Sequence, residues 1–243
     1  MSRTKAHKRS LSQRSEMIFD LHQFGILPDT REIFIAPCAS LEYSEPESEY
    51  MIDHSVAHQF VRNLRILNSL NNKTILVHMM TCGGLWEYGM AIHNAIQNSC
   101  EDPSLSNIVV LAYAHARSMS SLIPQAATYR VIMPDAYFMM HHGDYADAGQ
   151  YQKVVSNLKW SEKTMRPRML DIYVEKCLDG EFFAPKKWTE KKIRAHLDDR
   201  MDKTTDFFLT ARESVEYGLM DAVLGDEGFE TLGVLQKDEE EEE

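Results

Sequence analysis

Apolar residues recur at helical spacing in three stretches of the chain. In residues 54–70, apolar side chains stand about three or four positions apart, at Val56, Phe60, Val61, Leu64 and Leu67. This spacing predicts an amphipathic helix. Residues 85–96 repeat the pattern, and residues 150–176 extend it into a much longer helix. Pro167 lies inside the longest stretch and is expected to kink or divide it, because proline lacks a backbone N–H and clashes with the preceding turn.

Short apolar runs alternate with these stretches. Runs of strand length predict β-strands at residues 32–36, 74–80, 107–114, 130–133, 136–141 and 219–224. Two shorter helices are predicted at residues 118–127 and 213–217, the second ending at Gly218. The polar residues 42–50 predict a loop. Strands that alternate with helices favour an α/β fold with a mainly parallel sheet between helical layers.

The chain shows one predicted domain and two distinctive ends. No internal repeat or flexible linker interrupts residues 31–236, which are therefore predicted to form a single domain. Residues 1–30 are interpreted as a partly disordered N-terminal arm. The first 15 residues contain five Lys or Arg and no acidic side chain. Residues 237–243 are predicted to form a disordered acidic tail.

Composition and charge narrow the classes of function. The chain is 44% hydrophobic and 26% charged, which excludes a disordered protein. Its net charge is −11, and the body between the two ends is acidic, so nucleic acid and anionic membranes are not expected as partners. No apolar run approaches the ~20 residues of a membrane span, and no secretory signal is visible. A cytoplasmic location is expected, with organellar targeting by the basic arm left open.

Two turns, one with a pair of glycines and one with serines, each follow a buried strand and precede a helix. Thr81–Gly84 could hold an oxyanion with backbone N–H groups, or simply form a tight turn. Ser118 could be a nucleophile presented clear of the sheet, with the Met119 N–H beside the reacting oxygen. Alternatively, Ser118 is an ordinary helix N-cap.

Histidines and aspartates supply the remaining candidates. His141 and His142 end a predicted strand, where neighbouring side chains point to opposite faces, so at most one of them can serve a given site. Histidine suits a general base, since its pKa lies near working pH. Asp206 could orient such a base, but Asp198, Asp199 and Asp202 are close rivals. No metal site is expected, because the four cysteines are scattered without a C-x-x-C pair.

Four blocks of the sequence stand out, in this order: Thr81–Gly84 with Gly89–Ile92, Ala116–Ser120, Arg130–Pro134 with Met139–His141, and Asp206–Ala211 with Glu216–Asp221. In the same order they resemble motifs of the Clp protease proteolytic subunit (ClpP) family, which are SPGG with GMxI, AASMG, RxxLPN with MIH, and DxFLSA with EYGLVD. The last two blocks are the more specific, and the resemblance spans about residues 31–225. This chain departs from the family at three positions: Cys82 stands where the family usually has proline, Ser120 where it has glycine, and Arg117 where it has a small residue.

The resemblance implies a role for each matching residue. Ser118 matches the family's nucleophile, His141 its general base and Asp206 the acid of the triad. Gly84 and Met119 match the backbone donors of the oxyanion hole. His142 falls where the family usually has glutamine and is therefore not expected to be the base. The interval from His141 to Asp206 is longer than is typical of the family, and the resemblance therefore implies an insertion at about residues 177–188.

The resemblance also implies an architecture and partners. The expected fold is the ClpP/crotonase superfold of repeated strand–helix units with a long protruding helix. The expected activity is endoproteolysis of unfolded polypeptides inside a chamber of stacked homo-oligomeric rings. The peptidase itself needs no cofactor, since ATP is used only by a partner AAA+ unfoldase. Two alternatives remain open: an inactive structural ring subunit, and a crotonase-type acyl-CoA enzyme on the same superfold.

Overall fold

The structure is a computed structural model of the chain, and it describes residues 11–35 and 51–237. The predicted loop at residues 42–50, the first ten residues of the basic arm and the acidic residues 238–243 lie outside the described residues. Numbered along the chain, the strands are β1 Ile26–Leu27, β2 Glu32–Ile35, β3 Ile75–Met79, β4 Ile108–Ala112, β5 His115–Arg117, β6 Tyr129–Ile132, β7 Tyr137–Met140, β8 Phe207–Thr210 and β9 Ala222–Val223.

The helices lie between these strands. Two 3₁₀ segments, Ile123–Ala126 and Ala184–Lys186, supplement the α-helices. The α-helices are α1 Leu11–Phe24, α2 His54–Leu70, α3 Trp86–Glu101, α4 Met119–Leu122, α5 Tyr151–Cys177, α6 Glu190–Thr204, α7 Ala211–Glu216 and α8 Leu232–Leu235.

The larger sheet has the strand order β1-β2-β3-β4-β6-β9. β1 is antiparallel to β2, and every other pair of neighbours is parallel. β3 and β4 are buried at every position, as expected of central parallel strands that are covered on both faces. The predicted α/β fold with a mainly parallel main sheet is therefore confirmed.

A smaller sheet has the strand order β5-β7-β8, and it brings together three segments that are far apart in the sequence. β5 is parallel to β7, and β8 is antiparallel to β7. β5 begins three residues after β4 ends, so the chain leaves the larger sheet and enters the smaller one almost at once. The C-terminal ends of β5 and β7 therefore lie beside the start of β8.

The main core fills the space between the larger sheet and the helices. It includes apolar side chains of α2, α3, α5 and α6, of which Phe60, Ile92 and Tyr173 are among the largest that are fully buried. A smaller cluster on the opposite face contains Leu76 and Val109. Leu235 of α8 is buried in that cluster, so the end of the described chain covers the second face of the sheet.

The longest predicted helix is present as one element. α5 runs from Tyr151 to Cys177 with Pro167 inside it, so the helix is not divided there. Its buried residues begin only at Met169, and none of residues 151–168 is buried. The N-terminal part of α5 therefore projects from the domain, which confirms the predicted long protruding helix.

Three elements near the candidate site were not predicted from the sequence. β5 has only three residues, and β8 only four. α6 is highly charged and shows a single narrow apolar stripe of Ile193, Leu197 and Met201, all of which are buried. In the predicted N-terminal arm, α1 leads to β1, which pairs with β2. Where the peptidase domain begins stays a prediction.

No helix within residues 11–35 and 51–237 combines the length and the apolar character needed to cross a bilayer. α5 has 27 residues, which is long enough, but charged side chains occur along it. The expected cytoplasmic location stays a prediction.

Candidate active site

Ser118 forms a strained turn between β5 and α4. Its φ of 51° and ψ of −129° are rare for a residue other than glycine. Such conformations persist only when the surroundings enforce them, and they occur often at functional sites. Ser118 occupies the N-cap position of α4, but its side chain makes no capping hydrogen bond. Its Oγ lies instead 2.8 Å from Nε2 of His141.

Two neighbouring serines hold this turn in place. The Ser120 hydroxyl accepts from the Arg117 N–H at 3.0 Å and donates to the Arg117 carbonyl at 2.7 Å. The Ser121 hydroxyl donates to the Ser118 carbonyl at 2.6 Å, which leaves Tyr173 of α5 as the donor in its 2.6 Å bond to Ser121. Burial raises the pKa of Tyr173 far above its ordinary value, so the phenol keeps the proton that it donates.

The family match drew attention to Ser120 only as a departure from glycine, and Ser121 and Tyr173 were missed. The hydroxyl of Ser120 is accommodated because both of its hydrogen bonds close within the turn. No sequence signal pointed to Tyr173, since its partner lies far away along the chain. A buried tyrosine needs a partner for its hydroxyl, but the sequence does not say which one.

His141 and His142 lie on opposite sides of the strand end. His141 continues the face of β7 that carries Tyr137 and Met139, whereas His142 points toward α6. There, Nε2 of His142 lies 2.9 Å from Oδ1 of Asp202. This divergence follows from the alternation of side chains along a strand. Only His141 contacts Ser118.

Asp206 stands just before β8, on the other side of the His141 ring. Its Oδ1 lies 3.4 Å from His141 Nδ1. This distance is longer than an ordinary N–H···O hydrogen bond, as catalytic contacts without substrate often are. With Asp206 near Nδ1, the favoured tautomer carries its proton there, so Nε2 is able to accept the Ser118 hydroxyl proton.

The two phenylalanines that follow Asp206 differ in burial. Phe207 is buried, but Phe208 is 54% exposed. The two rings point to opposite faces of β8, because neighbouring residues of a strand alternate. The Asp206 side chain itself is 43% exposed, so its interaction with His141 is partly screened by solvent in the single chain.

The rival aspartates have other partners. Asp198 and Asp202 both contact Arg166 of α5, at 2.8 and 3.2 Å. Asp199 pairs with Lys203 one turn further along α6, at 2.8 Å. These three carboxylates therefore stabilise α6 and its contact with α5, and within the described residues only Asp206 pairs with His141.

Two glycines bring the Thr81–Gly84 turn against the nucleophile. A Cβ on Gly83 would stand 2.8 Å from both the Met119 nitrogen and the Ser118 Cβ, so a larger residue cannot fit there. Gly84 is held against Ile52, whose N–H donates to the Gly83 carbonyl and whose carbonyl accepts from the Leu85 N–H. In this parallel bridge the N–H of Gly84 points away from Ile52.

The Met119 N–H follows Ser118 directly, and the turn that contains Gly84 packs against the same residue. The Met119 N–H is the first of a helix, where N–H groups have no partner within the helix and point outward. The family match had drawn attention to Gly84 and Met119 but not to Gly83, which provides the close approach. Two N–H groups beside a serine hydroxyl are able to stabilise a developing oxyanion.

Cys82 is a second possible nucleophile near the site, and it lies in the Thr81–Gly84 turn. Burial raises the pKa of its thiol above the ordinary value, so the less reactive thiol form predominates. No group of three or more His, Cys, Asp or Glu within the described part of the chain is arranged to hold a metal ion. The expectation that the chain needs no cofactor stays a prediction.

Comparisons with known proteins agree with the sequence blocks. A family model described as Clp protease matches residues 48–227, a segment that includes Ser118, His141 and Asp206. The chain is 27% identical over 185 residues to the ATP-dependent Clp protease proteolytic subunit of Chlorella vulgaris, covering 74% of this chain and 81% of the relative. It is 26% identical over 183 residues to ATP-dependent Clp protease proteolytic subunit 2 of Pseudomonas aeruginosa, covering 74% and 81%. Over 175 residues it is 26% identical to the corresponding subunit of Oltmannsiellopsis viridis, covering 71% and 79%.

Proposed function

Since the chain belongs to the Clp protease family, we propose that it is a serine endopeptidase that uses Ser118, His141 and Asp206 as its catalytic triad. The observation that carries this proposal is the 2.8 Å contact between Ser118 Oγ and His141 Nε2. Asp206 at the other ring nitrogen completes the order nucleophile, base and orienting acid. A serine that merely capped a helix would not need this arrangement.

The proposed reaction is acyl transfer. His141 takes the proton of Ser118 as Oγ attacks the peptide carbonyl, and later gives that proton to the leaving amine. Asp206 holds the imidazole and stabilises its cation. The N–H groups of Gly84 and Met119 bind the oxyanion, and each such donor is typically worth ~3 kcal/mol in the transition state. Water then attacks the acyl-enzyme while His141 takes a proton from it, and the bond to Ser118 Oγ breaks as His141 returns that proton to the serine.

Covalent labelling with a fluorophosphonate tests this activity directly. The probe reacts with a serine that a neighbouring base has activated, so we expect labelling at Ser118, located by mass spectrometry of the digested protein. An inactive ring subunit would not be labelled. A crotonase-type enzyme would not be labelled either, because it uses an oxyanion hole without an activated serine. Absence of labelling in folded protein would therefore contradict the peptidase and favour one of these alternatives.

The proposed setting is a homo-oligomer of stacked rings that encloses the active sites. The names of the relatives describe a proteolytic subunit of an ATP-dependent protease. By analogy, unfolded polypeptides are delivered by an AAA+ unfoldase, which uses the ATP. The peptidase chain itself has no cofactor in this proposal, and it acts in the cytoplasm.

The projecting part of α5 is the proposed contact between rings. Leu158 is 44% exposed and Trp160 is 55% exposed, although both are large apolar side chains. Only the later part of the apolar stripe, from Met169 onward, faces the chain's own core. We expect light scattering to report a multi-ring assembly, and Leu158→Glu to reduce its mass by separating the rings. The exposed Glu162→Gln on the same helix serves as the control. A monomeric wild-type chain at micromolar concentration would contradict the assembly.

A further inference from the structure

A chain of hydrogen bonds leads from the interior of the domain to the backbone of Ser118. The Tyr173 hydroxyl donates to Ser121 Oγ at 2.6 Å, and Ser121 Oγ donates to the Ser118 carbonyl at 2.6 Å. This direction is fixed, because a carbonyl oxygen only accepts, and the single hydroxyl proton of Ser121 is thereby used. None of these three oxygens takes part in the proposed reaction, so an effect on catalysis has to pass through the backbone.

The Ser118 carbonyl belongs to the same peptide group as the Met119 N–H. This peptide is planar and trans, so its C=O and its N–H point in opposite directions. The carbonyl accepts from two donors, the Ser121 hydroxyl at 2.6 Å and the Ser121 N–H at 3.0 Å. The groups that fix the direction of this carbonyl therefore also fix the direction of the Met119 N–H, which is a proposed oxyanion donor.

The direction of this peptide needs support from its surroundings, because Ser118 is strained. Its φ of 51° and ψ of −129° lie outside the regions that a residue with a side chain ordinarily occupies. A strained backbone relaxes by rotation about φ and ψ, and rotation about the ψ of Ser118 turns the Ser118–Met119 peptide directly. On the other side of the residue, the Ser118 N–H donates to the Met139 carbonyl at 3.1 Å. The hydrogen bonds on both sides thus oppose a rotation that would change where the Met119 N–H points.

Tyr173 is held firmly enough to orient Ser121. It lies in the part of α5 that packs on the core, and it is only 1% exposed. Its ring packs edge to face on Phe138 of β7, with 6.3 Å between the ring centroids. Phe138 directly precedes Met139, so the strand that binds the Ser118 N–H also supports the phenol. In a buried site of low dielectric the two hydrogen bonds are strengthened, and each polarises the next.

We propose that Tyr173 and Ser121 are positioning residues that aim the Met119 N–H at the oxyanion through the Ser118 carbonyl. This inference rests on the proposed peptidase function and adds to it two residues outside the triad and the oxyanion hole. The hydrogen bonds to the carbonyl also draw electron density toward its oxygen, which makes the Met119 N–H a stronger donor. The oxyanion exists only in the transition state, so loss of this support lowers kcat and leaves KM unchanged.

Three variants of the full chain test this role: Ser121→Ala, Tyr173→Phe and the double variant with both changes. Turnover of a fluorogenic peptide gives kcat and KM for each. We expect Ser121→Ala to lower kcat by about tenfold to a hundredfold, less than the loss of a whole oxyanion donor, with KM within about twofold. Tyr173→Phe should lower kcat by a smaller factor, since Ser121 still donates to the carbonyl. The Ki of a peptide aldehyde, whose hemiacetal oxygen occupies the oxyanion site, should rise as kcat falls.

Stability separates positioning from a purely structural role. Ser121→Ala leaves the buried Tyr173 hydroxyl without its partner, which lowers Tm, whereas the double variant removes both hydroxyls and should recover most of the loss. The value of kcat should not recover, because the Ser121 hydroxyl is missing from both chains. The matched control is Ser214→Ala, which removes a buried hydroxyl that also bonds to the carbonyl three residues earlier, that of Ala211 at 2.7 Å. This control should keep kcat within about twofold of the wild-type value, since Ser214 supports α7 and not the nucleophile turn.

The outcomes distinguish this role from the peptidase itself. A kcat that follows Tm and returns to the wild-type value in the double variant would overturn the proposal and make the hydrogen-bond chain purely structural. Wild-type kcat in all three variants, or a raised KM with unchanged kcat, would overturn it too, and the peptidase would stand. If Ser121→Ala alone fails to fold, kcat of the double variant decides between the same results. A wild-type chain that neither cleaves the peptide nor reacts with the fluorophosphonate would overturn the peptidase and with it the positioning role.

Discussion

Replacing Ser118 by alanine is expected to abolish cleavage of a small fluorogenic peptide. Loss of a triad nucleophile typically lowers kcat by ~10⁶. The fold should survive, because the turn is held by the side chains of Ser120 and Ser121 and by Tyr173, none of which bonds to the Ser118 hydroxyl. Alanine also keeps the Cβ, so it adds no new contact with Gly83. Peptide turnover and the mass of the assembly would be measured on the same preparation.

A matched control separates chemistry from folding. Ser104→Ala removes a hydroxyl from an exposed turn, where it bonds only locally to Asp102, and should leave turnover unchanged. The Ser118→Ala chain should also lose fluorophosphonate labelling. Turnover at the wild-type rate in Ser118→Ala would refute the proposed mechanism, whatever the state of the fold.

Replacing Asp206 by asparagine is expected to lower kcat by about 10⁴, by the precedent of other triads. An asparagine at this position would favour the wrong imidazole tautomer, so His141 could no longer accept the Ser118 proton. The change is nearly isosteric, so the fold should be little affected. The exposure of Asp206 in the single chain makes this the more demanding of the two tests, since an exposed carboxylate stabilises a cation less than a buried one.

The rival aspartates are the controls for this experiment. Asp202→Asn and Asp199→Asn should change kcat by less than about tenfold, as surface substitutions usually do. Asp202 contacts His142 and Arg166, and Asp199 contacts Lys203, so neither reaches His141. A large loss in Asp202→Asn with a small loss in Asp206→Asn would mean that the register after the predicted insertion at residues 177–188 is wrong. The assignments of Ser118 and His141 would stand, since their blocks precede the insertion.

Hydrophobic periodicity alone was enough to predict most of the framework. The apolar face of α2 was largely recognised, because most of its buried side chains recur at helical spacing, but Val61 was placed on that face and is 40% exposed. β3 and β4 are continuous apolar runs, since they are covered on both faces. In the smaller sheet β7 was predicted, but β5 and β8 carry too few residues for a period to show. α6 was missed because its apolar stripe is only one residue wide in each turn, and its other faces are charged.

Residue types and order determined which side chains were worth considering for chemistry. A serine after a buried strand, a histidine at a strand end and an aspartate near the end of the chain are all local features. Each had an ordinary structural explanation, and only the order of the four family blocks favoured chemistry over that explanation. The alternation of side chains along a strand already required His141 and His142 to diverge, whichever of them faced Ser118.

Tertiary structure alone decided which of these candidates meet. The pairing of β5, β7 and β8 places Ser118, His141 and Asp206 side by side, and the register of those pairs is a property of three separate segments. The same pairing brings Arg117 beside Tyr137 and Phe208. Sequence spacing does not determine such distances, because the intervening α5 and α6 fold back by packing on each other and on the core. The family match had already favoured Asp206, and the tertiary structure shows why the rival carboxylates of α6 do not reach His141: they contact Arg166, His142 and Lys203.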